Sequence, residues 1–139
     1  MEIRKMMDID KVWLVPETEE EIEKAKKVIG NVNEYNKIKL PYFLLKELFK
    51  LDYIQIGSYY GNDDILGYVK LYNYKLEIKG FEPKITIDNK YFKPFIKYLI
   101  KGLKLRFNYA ITFYYAVNHP VIAEVDGKKG MIAYYDDGE

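Results

Sequence analysis

The stretch Lys84–Arg106, KITIDNKYFKPFIKYLIKGLKLR, opens as a strand and passes into a helix. It carries seven Lys or Arg residues against one acid, Asp88. At helical spacing Lys93, Lys97, Lys101 and Lys104 gather on one side, while Phe95, Ile96, Tyr98, Leu99, Ile100 and Leu103 fill the rest. Such a helix buries a broad apolar side and shows lysines on the other. Pro94 would remove an internal hydrogen bond from a helix begun at Asn89, so the sequence predicts a start at Lys93 or Pro94. Gly102 is a natural terminator, which keeps Lys97 and Lys101 on the helix and puts Lys104 and Arg106 beyond it.

The basic character is local. Over 139 residues the net charge is +1, with 22 Lys and Arg against 21 Asp and Glu. Counted from the sequence, residues 1–36 balance at −3, 37–83 at +1, 84–106 at +6 and 107–139 at −3. A nearly neutral chain with one basic stretch points to an anionic partner met at one surface. The length suits one domain with a real core, and 49% hydrophobic residues suits a globular chain. No apolar run reaches the roughly 18 residues of a membrane span, and the N-terminus lacks the apolar segment of a signal peptide. The expected location is cytoplasmic. With no cysteine, disulfides and thiolate metal sites are excluded. Scarce Gln and abundant Lys and Glu lean toward a thermophile.

Taken in order, Lys11–Pro16 is a short strand, followed by a helix opened by Thr18 and Glu21 in the spacing of a capping box. Its apolar stripe of Ile22, Ala25, Val28 and Ile29 is narrow. Lys37–Leu40 is a strand, and Pro41 leads into a helix over Tyr42–Leu51 with Lys46 and Lys50 on its outer face. Strands are expected at Tyr53–Tyr59, Ile65–Leu71 and Tyr74–Lys79, then a break at Gly80–Pro83. After the strand Lys84–Asp88 and the lysine helix come strands at Ile111–Asn118, Val121–Asp126 and Gly130–Asp136. Asp126-Gly127 supplies a hairpin turn between the last two.

Each half therefore reads strand, helix, three antiparallel strands, at about 37–82 and 83–137, an internal repeat of topology rather than identity. The expected fold class is α+β: a duplicated βαβββ domain over residues 37–139, two helices on antiparallel sheets, with an N-terminal strand–helix extension at 1–36.

The C-terminal run FIKYLIKGLKLRFNYAITFYYAVNHPVIAEVDGKKGMIAYYDD carries the most specific likeness. Its helix, linker and alternating strand lead to Pro120, Val121 and Glu124, then Gly130 and Met131, and it closes on Tyr134 and Tyr135. In this it resembles the end of a DNA sliding clamp of the proliferating-cell nuclear antigen family. The likeness covers roughly residues 37–137 and is strongest over 95–135. It implies sheets forming an outer wall and helices whose basic residues face duplex DNA without reading bases. Lys46, Lys50, Lys97 and Lys101 would take that role, with Lys93, Lys104 and Arg106 in second line. The trimeric clamps carry two such domains per chain and a long connector, so one domain implies a homo-oligomer, six copies for a closed ring, or a clamp or polymerase partner. The physics agrees: lysines on rigid elements suit the salt-sensitive, sequence-independent attraction of a phosphate backbone.

Other chemistry is weaker. His119 sits in Asn-His-Pro and reads as a turn residue. Asp63-Asp64, and Asp136-Asp137 with Glu139, offer hard oxygen ligands but read as solvated turns and tail. Ser58 has no base near it in sequence, and no phosphate-loop, dinucleotide or zinc-protease motif occurs. The expectation is a protein without catalytic activity or cofactor. Tyr59-Tyr60, Tyr72, Tyr74, Tyr114-Tyr115 and Tyr134-Tyr135 could stack single-stranded bases, although alternation assigns one of each adjacent pair to the core. An alternative function keeps the fold without DNA, as an interaction or regulatory module pairing through sheet edges.

Overall fold

A computed structural model describes residues 2–3, 12–61, 64–70, 81–104, 110–116 and 119–136. The expected strand Tyr74–Lys79, Arg106, Asp63 and the C-terminal acids beyond Asp136 lie outside the described residues. The chain is α+β with antiparallel sheets. Strand β1 is Glu2–Ile3 and β2 Trp13–Leu14; helix α1, Glu19–Ile29, follows. Thr18 Oγ1 accepts from Glu21 N–H at 3.1 Å, and the Glu21 carboxylate accepts from Thr18 N–H at 3.3 Å, completing the capping box. Thr18→Ala is expected to cost about 1 kcal/mol in chemical denaturation, with Thr18→Ser close to the parent.

Strand β3, Asn36–Pro41, runs into a 3-10 turn at Tyr42–Leu44 and a one-turn helix α2, Leu45–Leu48. This element is shorter than the predicted helix to Leu51. Beyond Leu48 the backbone tightens, with Lys50 N–H on Glu47 C=O and Leu51 N–H on Leu48 C=O at 3.2 and 3.1 Å. Strands β4, Tyr53–Gly61, and β5, Asp64–Lys70, form a hairpin. Strand β6, Phe81–Asp88, begins earlier than the sequence suggested, because a register shift against β4 admits Pro83. Ile56 faces Ile85 but Gly57 faces Pro83, so Lys84 is the extra residue of a bulge, a place where a strand tolerates proline.

Helix α3 is Asn89–Leu99, starting earlier than predicted and containing Pro94. Asp88 caps it, accepting from Lys90 N–H at 2.9 Å. Lys90 and Pro94 are both exposed, so water can serve the Lys90 carbonyl that proline leaves without a donor. Phe92, Phe95, Ile96 and Leu99 are all fully buried. Of these only Phe92 precedes Pro94; its burial, worth about 1.5–3 kcal/mol, together with the hydrogen bonds of buried Asn89, offsets the roughly 3 kcal/mol that an internal proline costs. Burial decides the boundary.

Strands β7, Ala110–Tyr115, β8, Val121–Val125, β9, Lys128–Ile132, and β10, Tyr135–Asp136, complete the order. Asp126 and Gly127, at φ 50° and 79°, make the two-residue turn between β8 and β9. Its paired positive φ values match the twist of a hairpin.

The sheets interlock the two halves. In the order β2-β9-β8-β7-β3, the strand preceding α2 pairs with the strand following α3. In β5-β4-β6, the strand preceding α3 pairs with the strand following α2. One core joins the inner faces: Ile54, Ile56, Ile85 and Ile87 from one sheet, Ile111, Phe113, Val121, Ala123 and Ile132 from the other, and the buried side of α3. Tyr115 ties them further, its hydroxyl donating to Gly57 C=O at 2.8 Å beside the bulge.

Residues from the N-terminal extension pack on the larger sheet. Trp13 and Leu14 pair with Ile132 and Met131, so β2 lies along β9. Ala25 of α1 packs with Leu14, Met131 and Ala133 in a second, smaller cluster.

Candidate nucleic-acid interface

The lysine surface is built at the junction of α2 and α3, and Asn89 makes that junction. Its side chain is only 7% exposed, and Nδ2 donates to Leu48 C=O at 3.0 Å and Leu51 C=O at 2.5 Å. Its own N–H reaches Asp52 C=O at 3.1 Å. A single residue thus adds a donor to Leu48 C=O, which also accepts from Leu51 N–H, and serves Leu51 C=O, holding α2 against the first turn of α3. Phe49 then lies edge-on to Phe92, with centroids 6.4 Å apart, and the Lys93 ammonium sits 5.8 Å from the Phe49 ring centroid.

All of the predicted lysines within the described residues, Lys46, Lys50, Lys93, Lys97, Lys101 and Lys104, are exposed. Lys93 and Lys97 share the outer side of α3 with Lys90, which the sequence reading left out. Lys101 lies in the turn after α3 rather than on the helix, its N–H on Tyr98 C=O at 3.3 Å. The cause is that α3 ends at Leu99, the last fully buried position of its apolar side. Gly102 adopts φ 80°, and Lys104 follows it. Lys50 is likewise in a turn, its ammonium 3.5 Å from Glu47. Among the described residues Lys46, Lys97, Lys101 and Lys104 have no ion-pair partner. Lysines held this way on an outer face act as point charges with freely hydrated heads, fit for anions of no fixed geometry.

The other flank of α3 carries both signs, with the Lys128 ammonium 5.5 Å from the Tyr98 ring centroid and 3.5 Å from Tyr98 C=O. Tyr98, 38% exposed, donates its hydroxyl to Glu17 at 2.5 Å. That hydrogen bond and the Glu17 charge, with smaller effects of burial and Glu21, push the Tyr98 phenol above its usual pKa. Trp13 packs on Tyr98 and on Phe95, with centroids 5.5 and 5.8 Å apart. A cleft of about 520 Å³ lies along this seam between Val12–Val15 and Tyr91 and Tyr98, with Glu17 and Glu21 in its lining. The contact between Glu17 and Tyr98 spans 81 positions, and no local pattern announces it.

Elsewhere His119 is exposed in a turn, its N–H on Ala116 C=O at 3.2 Å and its ring 5.5 Å from Tyr35. Among the described residues no three His, Asp or Glu side chains gather where they could hold a metal ion. Tyr115 is core, while Tyr114 lies half-buried on the opposite sheet face, as alternation requires. No helix among the described residues is long and apolar enough to cross a membrane. No protein-family model, no curated protein and no solved structure matches this chain.

Proposed function

We propose that this chain is a cytoplasmic, sliding-clamp-like protein that holds duplex DNA without reading its sequence and without catalysing a reaction, working as a homo-oligomer or beside a clamp or polymerase. On this reading residues 37–139 are a duplicated βαβββ clamp domain. The observation that carries it is the reciprocal pairing of the halves, each lending its first strand to the other's sheet, because that exchange brings α2 and α3 together. Two helices joined at Asn89, carrying Lys46, Lys90, Lys93 and Lys97, with Lys50 and Lys101 in the turns that follow them, then form one cationic surface. Backbone phosphates are the ligand such a surface suits.

The test is a fluorescence-anisotropy titration with duplexes of unrelated sequence at two or more salt concentrations. Lys97→Ala with Lys101→Ala is expected to weaken binding on the order of tenfold at low salt, equally for every duplex. Two lost phosphate contacts should also make the slope of log K against log salt shallower by roughly 1.8. Absence of duplex binding, or indifference to the double substitution, would defeat the reading.

Assembly by edge pairing meets a constraint. Strand β2 already occupies part of the β9 edge, so copies joining there have to displace Trp13 and Leu14, whereas the outer edge of β3 ends its sheet. Light scattering on the full chain gives the number of copies, and a monomer at all concentrations would remove the oligomer from the proposal.

A further inference from the structure

We infer that the cleft between β2 and α3 takes an extended peptide segment of a partner protein, which adds a strand to the outer edge of β2 and sets a Lys or Arg side chain beside Glu17 and Glu21. This goes beyond the duplex-binding reading and does not depend on it. Strand β2 ends the larger sheet, with β9 as its one neighbour there. Val12 C=O accepts from Ala133 N–H at 2.8 Å, and antiparallel pairing alternates, so the N–H and C=O of Trp13 turn away from β9. Neither group has a backbone partner among the described residues. An open edge of this kind is a template for one more strand.

What lies beside that edge selects the strand. The cleft, of about 520 Å³, runs along Val12–Val15, and α3 contributes Tyr91 and Tyr98, two helical turns apart on one side. Extended peptides add to such edges with main-chain bonds giving affinity and the flanking side chains giving specificity. Trp13 rests on Phe95 and Tyr98, so side chains entering the cleft meet aromatic surface. The charged residues in its lining are Glu17 and Glu21. Lys90 and Lys128 lie over the Tyr91 and Tyr98 rings, 5.6 and 5.5 Å from the centroids, yet neither lines the cleft. The hydrogen bond and charge of Glu17, then burial and the charge of Glu21, push the Tyr98 phenol above its usual pKa, so the net field there is negative with Lys128 in place. Both carboxylates are already held, Glu17 by the Tyr98 hydroxyl and Glu21 by Thr18 N–H, so a ligand does not have to order them. A cationic side chain complements that end, and the neighbouring rings attract it further.

Trp13 is the only tryptophan of the chain, so its fluorescence reads the cleft directly. The probes are short end-blocked peptides of alternating Val and Thr with a central Lys, Gln or Glu, titrated into the full chain. The Lys peptide should shift Trp13 emission and bind about fivefold tighter than the Gln peptide, the size of one exposed ion pair, with the Glu peptide weakest. Raising the salt should shrink that difference. Glu17→Gln keeps an oxygen to accept the Tyr98 hydroxyl and should remove most of the preference for Lys. N-methylation of one or the other alternate set of residues in the Lys peptide deletes the main-chain donors on one side, and one of the two patterns should abolish binding. Absence of a shift with all three peptides, equal affinity for the Lys and Glu peptides, or indifference to both methylation patterns overturns the inference. So does Trp13 emission that shifts with protein concentration alone, which would seat a second copy in the cleft. Failure of the duplex titration, by contrast, leaves this site standing.

Discussion

Asn89→Asp should destabilise the chain by about 3–5 kcal/mol, the cost of leaving a buried charge without compensation. The Asn89 amide nitrogen gives both its hydrogens to carbonyls, those of Leu48 and Leu51. An aspartate of the same shape would turn an oxygen toward each of them. Protonation could restore one donor, so the loss should shrink as pH is lowered into the acid range, a signature that a packing defect would not show. Asn89→Ala removes the donors without adding charge and should cost less, about 1–3 kcal/mol, for the carbonyls left short of partners. Urea denaturation of both variants checks the order. If Asp and Ala cost the same, the two hydrogen bonds are not what holds α2 to α3. Lys46 lies in α2 and Lys50 just after it, so under the proposed duplex-binding function Asn89→Ala is expected to weaken the duplex affinity read by anisotropy before it unfolds the chain.

What the sequence made legible was whatever local chemistry dictates. The capping box at Thr18 and Glu21, the Asp126-Gly127 turn and the alternation of Ile111, Phe113 and Tyr115 each involve residues a few positions apart, and each stands where expected. The lysines were legible as an exposed set for the same reason. Element ends were harder, because burial overrode propensity. Pro94 argued for a late start to α3, yet Phe92 and Asn89 are buried and draw the helix back to Asn89. Pro83 argued for a break, and a bulge took it into β6 instead.

The site itself was only half visible, since the contacts that shape it join distant positions. Asn89 reaches Leu48 across 41 positions and Glu17 reaches Tyr98 across 81. Nothing in KITIDNKYFKPF marks Asn89 as more than a helix opener, and an acidic first turn is common enough to pass as capping. The packing of β2 and α1 on the edge strand β9 of the larger sheet is likewise a contact between distant positions that no local pattern announces.

Gly130→Val should cost about 3 kcal/mol, the upper end of what overpacking a tight interior does. Gly130 lies in β9 with a backbone that any residue can adopt, so conformation does not demand glycine there. Space does. A Cβ added at Gly130 would stand 2.6 Å from Phe95 Cε1 and 3.0 Å from Val15 Cγ2. Phe95 is fully buried and has Trp13 on it, so its ring has no empty side to move into. Valine adds two methyl groups to that clash, and relief requires α3 to lift from β9 or β2 to come away. The partner substitution identifies the cause: Phe95→Leu shortens the side chain that collides. In combination it should recover part of the Gly130→Val loss, a coupling of about 0.5–3 kcal/mol in a double-mutant cycle. Strictly additive losses would mean that the contact between α3 and β9 is not what selects glycine. Since the same contact carries α3, and with it Lys93 and Lys97, onto the larger sheet, the proposed duplex-binding function adds a second readout: the single Val variant is expected to lose duplex affinity and the double variant to regain some of it.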